Sequence, residues 1–265
     1  MSENIALLIR DPDNRRSEAT LTLTTGLNVD GPLLSCLMVS RGDRFPAAFA
    51  IECFQRQTYA NRELIVVTAA PDSGVEALIA ELADPAIRFI QAVPRPLGEL
   101  RNVVAAHARG ELIAQWDDDD LSAPDRLAMM AGVLGETGSR ATFLRRVTLW
   151  SSAQRRIGPS ARRLWENSML VLRGALPAYP AVSLSEDTAV AQMIAAHNRV
   201  TLIDAPDRYC YVAHGRNSWG DDHFDLLFDA ADGTEPLPDY DAHIAAIDAR
   251  MPLRRYAMAQ AKALE

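Results

Sequence analysis

Residues 113–127 read IAQWDDDDLSAPDRL, an apolar run leading straight into four consecutive aspartates, Asp117 to Asp120. Two like charges roughly 6 Å apart repel by about 3 kcal/mol at an effective dielectric near 20. Such a cluster needs generous hydration or a cation. Hard divalent cations take oxygen ligands, and Mg²⁺ held by one or two carboxylates keeps positions for water and phosphate. The run therefore points to a Mg²⁺ or Mn²⁺ site serving a phosphate-bearing ligand. The purely structural reading is that acids crowd a turn and favour the dipole of the next helix, which accounts for one or two aspartates better than for four. Strand alternation would put Asp117 and Asp119 on one side and Asp118 and Asp120 on the other until a turn breaks the pattern.

The elements before the aspartates define where they must lie. LLSCLMVS (33–40), ELIVVT (63–68), IRFIQA (87–92) and ELIAQW (111–116) read as strands. Between them, Phe45, Phe49, Cys53 and Phe54 recur at helical spacing, a turn at Pro71–Gly74 opens another helix, and Leu100, Val103, Val104 and His107 share a helical face ended by Gly110. Strand and helix alternating in this way describe a parallel sheet wound with helices on both faces. In such sheets ligands bind beyond the carboxyl ends of the strands, which is where the fourth strand delivers the aspartates. Ser122, Pro124 and Asp125 mark the next helix start.

The second half is less regular. Residues 140–152 and 168–173 read as strands of mixed direction, 187–198 as a helix, VTLID and RYCYVAH as short strands, and 229–241 as a loop before a C-terminal helix. An alternating TLTLTTGL in residues 1–32 suggests a hairpin ahead of the main fold. The expected division is a hairpin extension over 1–32, a main domain over 33–230 with halves 33–130 and 131–230, and a C-terminal loop and helix over 231–265.

Composition narrows the function. The chain has 265 residues, 48% of them hydrophobic, and a net charge of −8 with its cations scattered, which argues against tracking a nucleic-acid backbone. Cys36, Cys53 and Cys210 show no metal-knuckle or disulfide spacing, so a reducing, cytoplasmic setting is expected. No apolar stretch reaches membrane-spanning length, and the N-terminus does not read as a signal peptide.

LLSCLMVSRGDR, FAIECFQRQTYANRELIVV and RNVVAAHARGELIAQWDDDDLSAPDRL, taken in order, resemble the family-2 glycosyltransferases of GT-A fold. The likeness runs from about residue 33 to 130, with weaker echoes to about 220. It implies an α/β, GT-A-type doubly wound, mainly parallel sheet with a mixed C-terminal part. The implied activity is metal-dependent, inverting transfer of a hexose from a nucleotide diphosphate donor, expected to be a UDP-sugar, to a hydroxyl on a saccharide, lipid-linked or small-molecule acceptor.

The resemblance also assigns roles. Asp119 becomes the ligand of Mn²⁺ or Mg²⁺, with Asp117 and Asp118 near the donor ribose and sugar. Val39 to Arg41 border the base. Thr68 stands where the family usually has an aspartate against uracil, which leaves the base open. Arg101, beside Asn102, matches the family's Arg-Asn pair and is placed against phosphate, or else is a solvated helix residue. In SLSEDTAV (183–190), Asp187 is the implied general base with Glu186 beside it. His214 is implied as a second metal ligand, and Trp165 as an acceptor-side aromatic that otherwise belongs to the core. His107 reads as a packed or end-capping histidine, while His197, His223 and His243 belong to no recognisable constellation.

Two further enzyme classes fit less well. A haloacid-dehalogenase phosphatase would carry its acids on the first strand and a threonine after them, whereas here Leu121 follows the fourth strand. A nucleotidyltransferase would need more glycine after the first strand than VSRGDR supplies. A nucleotide-sugar binding module without catalysis is the alternative from another functional class.

Overall fold

The computed structural model describes residues 2–24, 31–71, 73–232 and 239–263. The chain opens with an antiparallel hairpin of β1 (Ser2–Arg10) and β2 (Arg16–Thr24). The alternating unit follows: β3 (Leu34–Ser40), α1 (Arg44–Gln55), β4 (Arg62–Thr68), α2 (Gly74–Leu82), β5 (Ile87–Gln91), α3 (Leu97–Ala106) and β6 (Leu112–Gln115). β3 and β4 are buried on both faces, the reason they read as continuous rather than alternating apolar runs. β4 pairs parallel with β3, with Ser40 opposite Thr68, and β5 continues outward. β6 instead returns to the other side of β3. This reversal of strand order opens a crevice at the carboxyl ends of β3 and β6, the place such sheets bind ligands.

The second half adds β7 (Leu121–Ser122), α4 (Arg126–Thr137), β8 (Ala141–Leu144), β9 (Thr148–Ser151), β10 (Arg156–Pro159), β11 (Trp165–Leu172), α5 (Glu186–His197), β12 (Val200–Asp204) and β13 (Tyr209–Val212). β11 inserts antiparallel between β6 and β8, and β12 runs parallel to β8. The main sheet has nine strands in the order β2-β1-β12-β8-β11-β6-β3-β4-β5, and a four-stranded sheet runs β10-β9-β13-β7. α1, α2 and α4 pack on one face of the main sheet, around Cys36, Met38 and Val66. α3 and α5 pack on the other, around Leu37, Ile65 and Val67.

The chain ends in α6 (Asp221–Asp232), α7 (Tyr240–Asp248) and α8 (Leu253–Ala263). Tyr256 of α8 packs against Phe45 and Phe49 of α1, so this segment closes on its own core.

Three differences from the sequence reading have physical causes. Residues 140–152 are two strands, β8 and β9, assigned to different sheets because the chain turns at Arg145–Val147. β10 was not expected; it pairs with β9 as a short hairpin partner. α6 runs through the boundary placed at 230/231, and two helices rather than one follow it; the rest of the expected loop, 233–238, lies outside the described residues. The hairpin extension pairs β1 with β12 from Ala6–Asp204 to Arg10–Val200, which covers that edge of the sheet.

Candidate active site

A cavity of about 670 Å³ opens at the carboxyl ends of β3 and β6, with the aspartate run on one side and the start of α5 on the other. β6 ends at Gln115, so strand alternation never reaches the aspartates, and each of them meets a different partner. Asp117 accepts hydrogen bonds from Arg101 Nη2 at 3.2 Å and from Gln115 Nε2. Asp118 is hydrogen-bonded to the Ser40 side chain at the end of β3, with Arg41 close by. Asp119 Oδ2 lies 3.0 Å from His214 Nε2 and 3.5 Å from Asn217 Nδ2. Asp120 is buried: it accepts from Tyr209 Oη at 2.6 Å, from the Val212 N–H at 2.9 Å and from Asn167 Nδ2 at 3.5 Å. All four aspartates therefore border the cleft, and the buried Asp120 also clamps β13.

The electrostatics show what the run lacks. Burial, then repulsion from Asp119, pushes the Asp118 carboxyl up to about 7. Burial also raises Asp117, although the Arg101 guanidinium opposes the shift. Asp120 is held well above the usual range by burial and by its aspartate neighbours, against its bonds from Tyr209 and Val212. Negative charge here is under-compensated by protein cations, a situation a divalent ion reverses. Among the described residues no three His, Cys, Asp or Glu side chains converge as a metal cage. The fit is that of a two-ligand site: the Asp119 oxygen and His214 nitrogen would hold Mn²⁺ or Mg²⁺ and leave positions for phosphate and water.

On the opposite wall, Arg101 and Asn102 latch α3 to α5. Arg101 Nε donates to Glu186 at 2.8 Å while Nη2 reaches Asp117, and the guanidinium lies over the Tyr179 ring at 5.9 Å. Arg101 is buried, not a solvated helix residue. Burial opposes its charge, yet Asp117, Asp187 and Glu186 raise its pKa well above the ordinary value. Asn102 pairs through both side-chain atoms with the Tyr179 backbone, each bond 2.8 Å. Gly98 donates its N–H to Val182, so closely that a Cβ there would stand 1.8 Å from the Pro180 carbonyl. These contacts fix the segment ending at Ser185, whose φ of 60° turns the chain into α5.

Glu186 is thereby buried and ion-paired, while Asp187 lines the cleft. The Thr188 N–H donates to Asp187 Oδ1 at 2.8 Å, and among the described residues Oδ2 receives no hydrogen bond. Burial raises the Asp187 pKa, with Arg101 opposing.

The remaining expected residues divide. Val39 and Arg41 line the cleft, and Arg41 Nη2 donates to the Arg216 carbonyl at 2.6 Å, tying β3 to the segment that carries His214. Trp165 is 3% exposed: it packs edge-on to Tyr211 and carries Arg163 over its ring at 4.5 Å, so it is a core aromatic with one edge at the cleft. Thr68 is placed differently from the other expected donor residues. It is fully buried, does not line the cleft, and its hydroxyl accepts from the Ala70 N–H at 3.1 Å. A short hydroxyl beside a turning backbone readily makes such a local bond. His107 caps the end of α3 but is exposed rather than packed.

Several cleft residues escaped the sequence reading. His223 stacks on Trp219 at 4.8 Å on the rim, and Asn167, Tyr211 and Asn217 line the wall. Asn217 stands in the quoted stretch YVAHGRNSW, three residues after His214, and its Oδ1 accepts from the His214 N–H. That spacing was the available signal for it. Tyr211 and His223 carried none, because only the folded chain puts them beside the aspartates.

A mainly parallel sheet whose strand order reverses at β3, with antiparallel strands added on one side, is the α/β architecture of the GT-A fold. Residues 47–166 match the sequence model described as "Glycosyl transferase family 2". Over those residues the chain matches the family-2 glycosyltransferases, which supports reading it as a glycosyltransferase. No match was found among curated proteins. Among solved structures, the chain resembles Staphylococcus aureus TarS 1–349 in complex with UDP: TM-score 0.57, 13% identity, with 73% of this chain and 69% of that one covered. Of a longer TarS chain it covers 42%. It also resembles the mannosyltransferase PcManGT from Pyrobaculum calidifontis in complex with GDP-Man and Mn²⁺: TM-score 0.56, 17% identity, with coverage of 88% and 85%. At these identities the likeness is one of fold.

Proposed function

We propose that the protein is a metal-dependent, inverting glycosyltransferase that moves a hexose from a nucleotide diphosphate to an acceptor hydroxyl. One observation carries this reading: Asp119, held against His214 from 95 residues away, faces the same cleft as Asp187. Asp119 and His214 are the proposed holders of Mn²⁺ or Mg²⁺. The ion, when bound, would neutralise charge developing on the leaving nucleoside diphosphate.

The chain's own residues supply the rest. Asp187 Oδ2 takes the acceptor's proton as that oxygen attacks the anomeric carbon. The carbon–oxygen bond to the diphosphate breaks in the same displacement, with inversion. A carboxylate buried against Arg101 is well placed for this, because burial strengthens its basicity while the guanidinium opposes that shift. Glu186 and Arg101 position Asp187 rather than touching substrate. Val39, Arg41, Asp117 and Asp118 border the donor.

A UDP-sugar is the first donor to test, since TarS binds UDP and UDP-GlcNAc. GDP is the necessary comparison, because PcManGT is in complex with GDP-Man and Thr68 stands in place of the aspartate expected against uracil. The acceptor is a saccharide, lipid-linked or small-molecule hydroxyl. The setting is the cytoplasm, in keeping with three buried free cysteines. Among the described residues no helix is long and apolar enough to cross a membrane.

The test is calorimetric titration of UDP and GDP with Mn²⁺ and then with EDTA. Metal-dependent binding to the wild type, lost in Asp119→Ala and His214→Ala, is the expected result. Preference for GDP keeps the enzyme class and changes the donor. Folded protein that binds neither nucleotide overturns the reading.

A further inference from the structure

A second cavity, of about 570 Å³, lies beside the cleft and shares Arg163, Glu166 and Thr188 with it. Its floor is α5, through Thr188, Gln192 and Ala195; its outer wall is the tip of the N-terminal hairpin, through Arg10 and Asn14. The dividing wall is polar. Glu166 accepts from Arg163 Nη2 at 2.6 Å and from Thr188 Oγ1 at 2.7 Å, and Thr188 directly follows Asp187. The groove therefore begins one residue from the carboxylate assigned as base. Along α5 it extends from Thr188 to Ala196, about 12 Å at 1.5 Å per residue.

Arg10 distinguishes this groove from a surface furrow. Among the described residues its guanidinium has no carboxylate partner and no hydrogen bond, and its Nε is buried without an acceptor. Three nearby arginines are paired: Arg15 with Asp13, Arg163 with Glu166 and Arg199 with Asp11. Arg10 is set at the end of β1 by pairing with both Arg16 and Val200, so the cation is presented from a fixed strand rather than a loose terminus. A buried donor without a partner is costly, and a planar guanidinium matches carboxylate or phosphate oxygens.

We propose that this groove is a distal acceptor subsite that takes an acidic saccharide, with a carboxylate or phosphate held by Arg10 one or two sugar units from the reacting hydroxyl. The N-terminal hairpin then has a role in specificity in addition to covering β12. The inference rests on the glycosyltransferase reading, since it assigns the groove to the acceptor of that reaction.

The experiment compares three matched probes: maltotriose, its form oxidised to the uronic acid at the distal C6, and its distal 6-phosphate. Binding to the full chain is measured by titration with UDP and Mn²⁺ present, and again without them. The acidic probes should bind at least tenfold more tightly than maltotriose, the order expected of one charge-assisted hydrogen bond. Arg10→Ala should remove that preference, Arg10→Lys should keep part of it, and Ala195→Phe should block the groove. All three variants should bind UDP with Mn²⁺ as the wild type does. Carboxylate and phosphate are separated by which acidic probe binds better. Equal binding of neutral and acidic probes, or a preference that survives Arg10→Ala, overturns the subsite. If UDP fails to bind while the acidic probes still bind through Arg10, the groove stands and the transferase reading falls.

Discussion

Tyr209 donates its hydroxyl proton to Asp120 Oδ2 at 2.6 Å, while the other oxygen of Asp120 takes the Val212 N–H at 2.9 Å. The last aspartate of the run thus holds the first and last residues of β13, and β13 leads directly to His214. Asp120→Ala should leave the Tyr209 hydroxyl and the Val212 N–H unsatisfied in a buried site, at a cost of about 2–4 kcal/mol. Denaturant midpoints report that loss. If Asp120 also sets the position of His214, Asp120→Asn should bind UDP with a weaker Mn²⁺ dependence while remaining folded. An unchanged Mn²⁺ response in Asp120→Asn would confine Asp120 to stability.

Arg101 bridges Glu186 and Asp117 across the cleft. Arg101→Ala strands a buried Glu186, which should destabilise the fold by about 3–5 kcal/mol. Adding Glu186→Gln should recover much of that stability, because the uncompensated charge is gone. Turnover should not recover, since the contact that aims the start of α5 is still missing. A double variant with full activity would show that the latch has no part in positioning Asp187.

Asp187→Asn keeps the shape of the side chain and removes its basicity. Turnover with any acceptor found should fall by about 10²–10⁴-fold, the usual range for a general base. UDP affinity should stay within about twofold, because the role proposed for Asp187 lies in the acceptor step. A non-catalytic binding module would show the same retained affinity but no wild-type turnover to lose.

The metal-free protein should lose stability as pH rises from about 4 to 7. Burial and Asp119 raise the Asp118 carboxyl to about 7, above its unfolded value, so the folded chain holds this proton where the unfolded chain has released it. The contribution is therefore complete below the unfolded pKa and lost as pH climbs through the folded one. Its size is about 2 kcal/mol, half of the full linkage value because Asp118 is partly open to solvent. Thermal melts of wild type and Asp118→Asn across this range isolate it from carboxylates such as Glu63, whose lowered pKa acts in the opposite direction. Mn²⁺ should flatten the wild-type profile. A wild type that tracks Asp118→Asn at every pH would contradict the assignment.

Much of the architecture was legible because it depends on short-range pattern. β3 and β4 are runs of apolar residues buried on both faces, α1 repeats its buried side chains at helical spacing, and the order of strands and helices implied the crevice. The errors lay where local pattern is silent. Residues 140–152 hold two strands because their partners lie in different sheets, and no spacing within the segment encodes that. Thr68 stands at an expected donor position, and only the fold shows it buried, with its hydroxyl accepting from the turn that follows.

The aspartate run shows the same division at the scale of single atoms. That a cluster of like charges after a buried strand needs compensation follows from its composition alone. Which aspartate receives which partner depends on Arg101, Ser40, His214 and Tyr209, residues from 16 to 95 positions away in the chain. Hydrogen bonds and ion pairs act over about 3 Å, so only a fold that closes those separations could make Asp120 a clamp on β13 while all four carboxylates border one cleft.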